Sequence, residues 1–147
     1  MEGKKRFSKI GKEFKIGIIG MGEGKGLAKG ISNHPELKLT SICDSNKELV
    51  EFVQKDLQIE KSFTSYEEML KEDLDIVAIY TPDNLHIEHI SMAFESGKNV
   101  ICTKPLVNSV EEAKILLDLQ KRYPDRYLLV GQSSRFFSSL KRQREIY

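Results

Sequence analysis

The stretch from Lys15 to Asp44, KIGIIGMGEGKGLAKGISNHPELKLTSICD, decides how the chain is read. Its apolar run from Lys15 to Gly20 suits a buried strand, and Leu37 to Cys43 suits a second strand that ends on the carboxylate of Asp44. Between them Gly20, Gly22, Gly24 and Gly26 predict a glycine-rich turn feeding a short helix. Glycines let the backbone turn tightly and approach a pyrophosphate, whose charge the free N–H groups and the positive end of the helix dipole then hold. A carboxylate about twenty residues beyond such a turn accepts hydrogen bonds from ribose hydroxyls. A glycine loop alone predicts no more than a tight turn. The ordered series of strand, loop, helix, strand and acidic end predicts a dinucleotide-binding unit.

The loop departs from the usual G-x-G-x-x-G/A spacing, because Lys25 stands where the last small residue belongs. Gly26 follows one position later. The expectation is therefore a loop with one extra residue, in which Gly26 or Ala28 gives the close approach of helix to strand.

A chain of 147 residues allows one ordinary domain, enough to bury roughly 70% of the surface its unfolded form exposes. With 23 basic and 22 acidic side chains the net charge is +1, so bulk electrostatics predict neither a nucleic-acid nor a membrane partner. The sequence has no apolar run of membrane-spanning length and no signal-peptide core, and a cytoplasmic protein is expected. Cys43 and Cys102 each end a predicted buried strand and read as reduced core residues. Residues 1–13 are expected to form a flexible basic leader. Lys4, Lys5 and Arg6 there suit a solvated segment, with a nuclear signal or an anionic partner as the other readings.

Beyond Asp44, Ser45-Asn46 caps a helix to about Leu57 with Leu49, Val50 and Val53 on one face, and a short strand follows at Lys61 to Phe63. Ser65 and Glu68 form a capping box for a helix from Tyr66 to Leu70. Asp75 to Thr81 and Asn99 to Thr103 are continuous apolar strands. The helix between them runs from about Asn84 to Glu95 and stops at Gly97. Ser109 opens a long helix to about Arg122 with Ala113, Leu116, Leu117 and Leu119 as apolar positions, Tyr127 to Gly131 is a last strand, and Ser138 to Tyr147 is helical. Strand and helix alternate throughout, so residues 14–147 are expected to form a single α/β domain, a doubly wound parallel sheet of Rossmann type. Ligands of such sheets sit beyond the C-terminal strand ends, which here are Gly20 to Gly26, Asp44, Thr81 to His86, Thr103 to Pro105 and Gln132 to Arg135.

Taken in order, GIIGMGEGKG, ICD, IYTPDNLH, GKNVICTKP and VGQSSRF resemble the N-terminal half of the glucose-fructose oxidoreductase / inositol dehydrogenase / MocA family, over nearly the whole chain from Lys15 to Tyr147. The resemblance implies an NAD(P)-binding Rossmann domain of an NAD-dependent oxidoreductase that moves a hydride to or from a sugar, polyol or related carbonyl. It also implies a second α/β half, without counterpart in these residues, that supplies substrate contacts, a catalytic His or Asp and much of a homo-oligomer interface. Carried over by position, it places Gly20, Gly22, Gly24 and Lys25 at the pyrophosphate turn, Asp44 at the ribose, and Thr81, Pro82 and His86 beside the nicotinamide. Lys104 and Pro105 stand for the family's E-K-P, whose lysine faces the reacting carbon. Thr103 replaces the glutamate, as in a subset of the family that reads T-K-P. NAD is expected in preference to NADP, because the Asp44 carboxylate repels a 2′-phosphate.

Other readings stand beside these. Lys104 is otherwise a solvated lysine at a strand end. His86 and His89 have a spacing that metal sites also use, but no Cys or carboxylate cluster completes one, so no metal is expected; His86 reads as a rim or helix-start residue and His89 as a solvated one. Gln132 and Arg135 suit substrate, the second half or solvent equally. Lys141, Arg142 and Arg144 suit a solvated helix face or one packed on the second half. Besides the catalytic reading, the chain also suits a non-catalytic dinucleotide sensor or scaffold. The intact x-K-P and T-P-x-x-x-H elements favour catalysis, and the uncapped last helix favours a larger protein whose 147-residue portion does not turn over alone.

Overall fold

The computed structural model of the chain describes residues 13–31 and 34–146. The basic leader through Lys12 and the final Tyr147 lie outside the described residues, as do Ser32 and Asn33. Six strands form one parallel sheet in the order β3-β2-β1-β4-β5-β6. They are β1 (Phe14–Ile19), β2 (Leu37–Cys43), β3 (Lys61–Phe63), β4 (Ile76–Ile79), β5 (Asn99–Thr103) and β6 (Leu128–Gly131). The helices between and after them are α1 (Met21–Ile31), α2 (Lys47–Leu57), α3 (Tyr66–Leu70), α4 (His86–Glu95), α5 (Val110–Arg122) and α6 (Ser138–Ile146), with 3-10 turns at Asp83–Leu85 and Ser133–Phe136. The chain moves outward from β1 to β3 and returns to place β4 beside β1, so the topological switch point lies between β1 and β4.

Alternation along the strands divides the core. Ile16 and Ile18 of β1, Ile42 of β2 and Ala78 of β4 pack under Met21, Ala28 and Ile31 of α1 and Val50 and Val53 of α2. Ile19, Cys43, Val77, Ile79, Val100 and Cys102 face the opposite way and meet Tyr66 and Met69 of α3, Ile90, Ala93 and Phe94 of α4, and Leu119 of α5. Burial of strands on both faces explains why β1, β4 and β5 read as unbroken apolar runs.

The caps are chemically specific. Asn46 accepts from the Leu49 N–H at 3.1 Å, Ser65 from Glu68 at 3.2 Å and Ser109 from Glu112 at 3.1 Å. The expected reciprocal half of the Ser65 box is replaced, for the Glu68 carboxylate pairs with Lys71 at 2.6 Å and the Ser65 hydroxyl donates to Glu67. Gly97 ends α4 at φ 76°, with its N–H on the Phe94 carbonyl and the Lys98 N–H on that of Ala93, a Schellman closure. Leu117, expected on the apolar face of α5, is 63% exposed, while Leu119 is fully buried.

The glycine-rich segment corrects the sequence expectation most. The turn is confined to Gly20, at φ 91°, and α1 starts at the next residue, so Gly22, Gly24 and Gly26 are helical rather than part of a loop. No extra residue is accommodated. A Cβ on Gly24 would lie 2.9 Å from Cγ2 of Ile18, and Ala28 is fully buried, whereas a Cβ on Gly26 would meet nothing within 4 Å. Gly24 and Ala28 therefore give the close approach of helix to strand.

Candidate functional site

At the switch point Gly20 brings three strand ends together. Its N–H donates to the Cys43 carbonyl at 2.9 Å, and the neighbouring Tyr80 N–H donates to Ile19 at 2.8 Å. A Cβ on Gly20 would fall 2.5 Å from the Tyr80 carbonyl carbon and oxygen, so only glycine closes this corner. Above it opens a cavity of about 1030 Å³ lined from five strand ends. Gly20, Gly22 and Glu23 supply one wall; Asp44, Ser45, Asn46 and Leu49 the next; Thr64 to Glu67 a third; Tyr80 to Asp83 a fourth; and Thr103, Lys104 and Pro105 the last. Its volume lies at the upper end of small-molecule sites, which suits an elongated ligand.

Asp44 stands at the tip of β2 with both carboxylate oxygens engaged. Oδ2 accepts from the Met21 N–H at 2.7 Å and Oδ1 from the Asn46 N–H at 2.9 Å. The first N–H groups of a helix have no intrahelical acceptor; Met21 directs its own to Asp44, and Gly22 and Glu23, which line the cavity, carry the next two. These donors, the positive helix end and the absence of a side chain at Gly22 fit a diphosphate. Among the described residues, Lys104 is the only lysine or arginine that lines the cavity, against the carboxylates of Glu23, Asp44, Glu67 and Asp83. Phosphate charge would thus be met by backbone and dipole, in surroundings that oppose a further phosphate group.

Of the residues singled out from sequence, Gly20, Gly22, Asp44, Thr81, Pro82, His86, Lys104 and Pro105 share this cavity. Gly24 and Lys25 do not line it. Gly24 packs on β1, and the Lys25 ammonium lies 3.3 Å from Asp56 and 4.4 Å from the centre of the Phe52 ring, both on α2. Gln132 and Arg135 are exposed and outside the cavity. Lys104 is exposed at the strand end, with Thr103 buried behind it.

The two histidines are the residues that sequence reasoning placed least well. His86, expected on the rim, is 1% exposed, with Nδ1 2.8 Å from the Pro105 carbonyl oxygen and Nε2 3.0 Å from that of Thr81. His89, expected in solvent, is half-buried and lines the cavity, with Nδ1 2.9 Å from the Thr81 hydroxyl. Burial holds its pKa below the ordinary histidine value, against the opposing pull of Glu88 and with a smaller push from His86. Tyr66 packs edge-on against the ring at 4.8 Å and donates its hydroxyl to the His89 carbonyl at 3.1 Å. Helical phase could have flagged it, since His86, His89 and the buried Ile90 and Ala93 fall on one face. Among the described residues no group of three or more His, Cys, Asp or Glu side chains could hold a metal ion. Cys43 and Cys102 are free and buried, and burial pushes both thiols up to about 12.

A cavity at the switch point of a doubly wound parallel sheet, with a glycine turn into a helix N-terminus and a carboxylate on the second strand, defines a dinucleotide-binding Rossmann domain. Residues 14–132 match the family described as "Oxidoreductase family, NAD-binding Rossmann fold", that of glucose-fructose oxidoreductase, inositol dehydrogenase and MocA, and the chain belongs to that family. The chain is 36% identical over 100 residues to scyllo-inositol 2-dehydrogenase (NAD(+)) of Bacillus subtilis (strain 168), covering 67% of this chain and 28% of that protein. Myo-inositol 2-dehydrogenase from Lactobacillus plantarum superposes with a TM-score of 0.86 at 28% identity, covering 92% of this chain and 41% of that one. Scyllo-inositol dehydrogenase from Lactobacillus casei, solved with bound cofactor NAD(H) and scyllo-inositol, gives 0.85 at 26%, with the same coverage of 92% and 41%. The chain thus spans about two fifths of the length of these structures.

Proposed function

We propose that the chain binds NAD in the switch-point cavity and forms the cofactor half of an enzyme that moves a hydride between NAD and a sugar or polyol. The observation that carries this reading is the convergence of the α1 N-terminus, Asp44, the Thr81-Pro82 corner and Lys104 on one cavity. When bound, the nicotinamide supplies the hydride chemistry. Gly22 and Glu23 would hold the diphosphate through backbone N–H groups and Asp44 the adenosine ribose, with Thr81 and Pro82 beside the nicotinamide ribose. Lys104 would donate a hydrogen bond to the substrate oxygen and stabilise the negative charge that grows there as the carbonyl is reduced. The inositol dehydrogenases among its relatives support a polyhydroxylated substrate. The reading extends to a cytoplasmic homo-oligomer in which a second domain completes the substrate walls.

Calorimetric titration of the 147-residue chain with NAD tests the binding half of this reading. Saturable one-to-one binding is expected, with no turnover of polyols by this chain alone, because hydride transfer needs a closed, dry site. No binding heat at millimolar NAD would overturn the assignment of the cavity, and steady NADH production would overturn the need for a second domain.

A further inference from the structure

The ladder between β4 and β5 ends at Ile79 and Cys102, and beyond it the chain continues into the two loops that carry Thr81-Pro82 and Lys104-Pro105. Their tie is a side chain. His86, the first residue of α4 and 1% exposed, has Nδ1 2.8 Å from the Pro105 carbonyl oxygen and Nε2 3.0 Å from the Thr81 carbonyl oxygen. Whichever nitrogen bears a proton, the ring donates to one of these loops, and a ring protonated on both donates to both. His89 takes up Thr81 a second time, at its hydroxyl, from the same helix. Thr81 meets α4 at its carbonyl, opposite the His86 ring, and at its hydroxyl, opposite that of His89, while the exposed Lys104 immediately precedes Pro105, whose carbonyl faces the other nitrogen of His86.

We propose that His86 is a positioning residue, tying the loops after β4 and β5 so that Thr81 and Lys104 keep a fixed separation across the cavity. A histidine that only filled core volume would need neither carbonyl, and a purely apolar side chain would serve there. Without the ring N–H, the carbonyl it engages loses that donor, and its loop is free to relax toward solvent. The proposal rests on the reading of this cavity as the NAD site for its functional consequence, but not for the tie itself.

The test compares His86→Leu, which can donate to neither carbonyl, with His86→Gln, whose amide can donate to one. NAD titration of the unmodified chain comes first, since its failure sinks the cofactor reading while leaving the tie measurable by NMR. In His86→Leu the amide resonances of Thr81, Lys104 and Leu106 should broaden or split through exchange while those of Gly20 and Gly22 stay sharp, and NAD affinity should fall by about tenfold. His86→Gln should restore part of both signals. A folded His86→Leu chain with unchanged resonances at these loops overturns the proposal. If that variant does not fold, His86→Met, which also donates to neither carbonyl, takes its place, and unchanged resonances in it overturn the proposal. On the unmodified chain the ring N–H of His86 should exchange slowly with solvent, and exchange as fast as that of free imidazole would overturn the tie whatever the variants do.

Discussion

Asp44 and Met21 are joined by a hydrogen bond of 2.7 Å, from the first N–H of α1 to the carboxylate at the end of β2. A second bond of 2.9 Å from Asn46 fixes the other oxygen, so the carboxylate is anchored on the cavity wall rather than free to swing away. An anchored anion holds its position against an incoming 2′-phosphate.

NAD should therefore bind this chain more tightly than NADP, by about 1–3 kcal/mol, the usual worth of charged hydrogen bonds. Asp44→Ser should narrow the gap. Asp44→Ala should also destabilise the ligand-free chain by about 1–2 kcal/mol, because the α1 N-terminus loses its acceptor. Asp44→Asn keeps an acceptor without the charge and should narrow the gap at a smaller loss of stability. Paired calorimetric titrations and urea unfolding read the two effects separately; equal affinities for the two cofactors in the unmodified chain would remove Asp44 from the ribose.

The glycines of the turn and of α1 should respond to alanine in a fixed order. Gly20→Ala combines positive φ with a Cβ 2.5 Å from backbone and should cost about 3 kcal/mol or more. Gly24→Ala presses on the Ile18 side chain and should cost about 1–3 kcal/mol. Gly26→Ala enters open space in a helix and should stabilise by about 0.4–1 kcal/mol. Denaturant midpoints give the ranking, and a destabilising Gly26→Ala would restore Gly26 as the close-approach residue.

Lys104→Met, made in a chain that carries the proposed second domain, should depress hydride transfer by orders of magnitude and leave NAD affinity within about 1 kcal/mol, because the lysine acts on charge that appears only in the transition state. A solvated lysine would change neither by more than about 0.5 kcal/mol. Single-turnover kinetics distinguish the two.

Stability should depend on pH through His89. Its pKa is lowered in the fold by burial, so the unfolded chain binds the proton more readily, and the neutral ring's contribution is present above the unfolded value and lost as pH falls through the folded one. The loss should begin near pH 6.5, above the range in which Glu60, Glu67 and Asp73, all held below their ordinary values, take up protons. Urea midpoints from pH 7 to 5 should fall in the unmodified chain and fall less in His89→Gln. An identical slope in both would assign the effect elsewhere.

Much of the fold was legible because buried parallel strands must be apolar on both faces, and because Asn46, Ser65, Ser109 and Gly97 have few other uses than the helix ends they occupy. The cavity was legible for the same reason: strand ends in a doubly wound sheet converge on one rim, so Gly20, Asp44, Thr81 and Lys104 met as their order predicted. Lys25 was misplaced because spacing from a motif gives position along the chain and not the direction of a side chain; on α1 it points to Asp56.

The amino-acid sequence by itself determined the parallel sheet, its helices and the strand ends that face a ligand, since period, capping and glycine placement are local properties. Only the tertiary structure decided that the glycine turn is a single residue, that Gly24 rather than Gly26 meets β1, and that His86 lies buried between two carbonyls. The separation of the cysteines was settled there as well. Cys43 and Cys102 stand on strands with β1 and β4 between them, roughly 14 Å apart at the usual strand spacing and beyond the reach of a disulfide. Each of these depends on which backbone atoms of distant segments come within a few ångströms, and that is fixed by packing across the sheet rather than by any residue's neighbours in the chain.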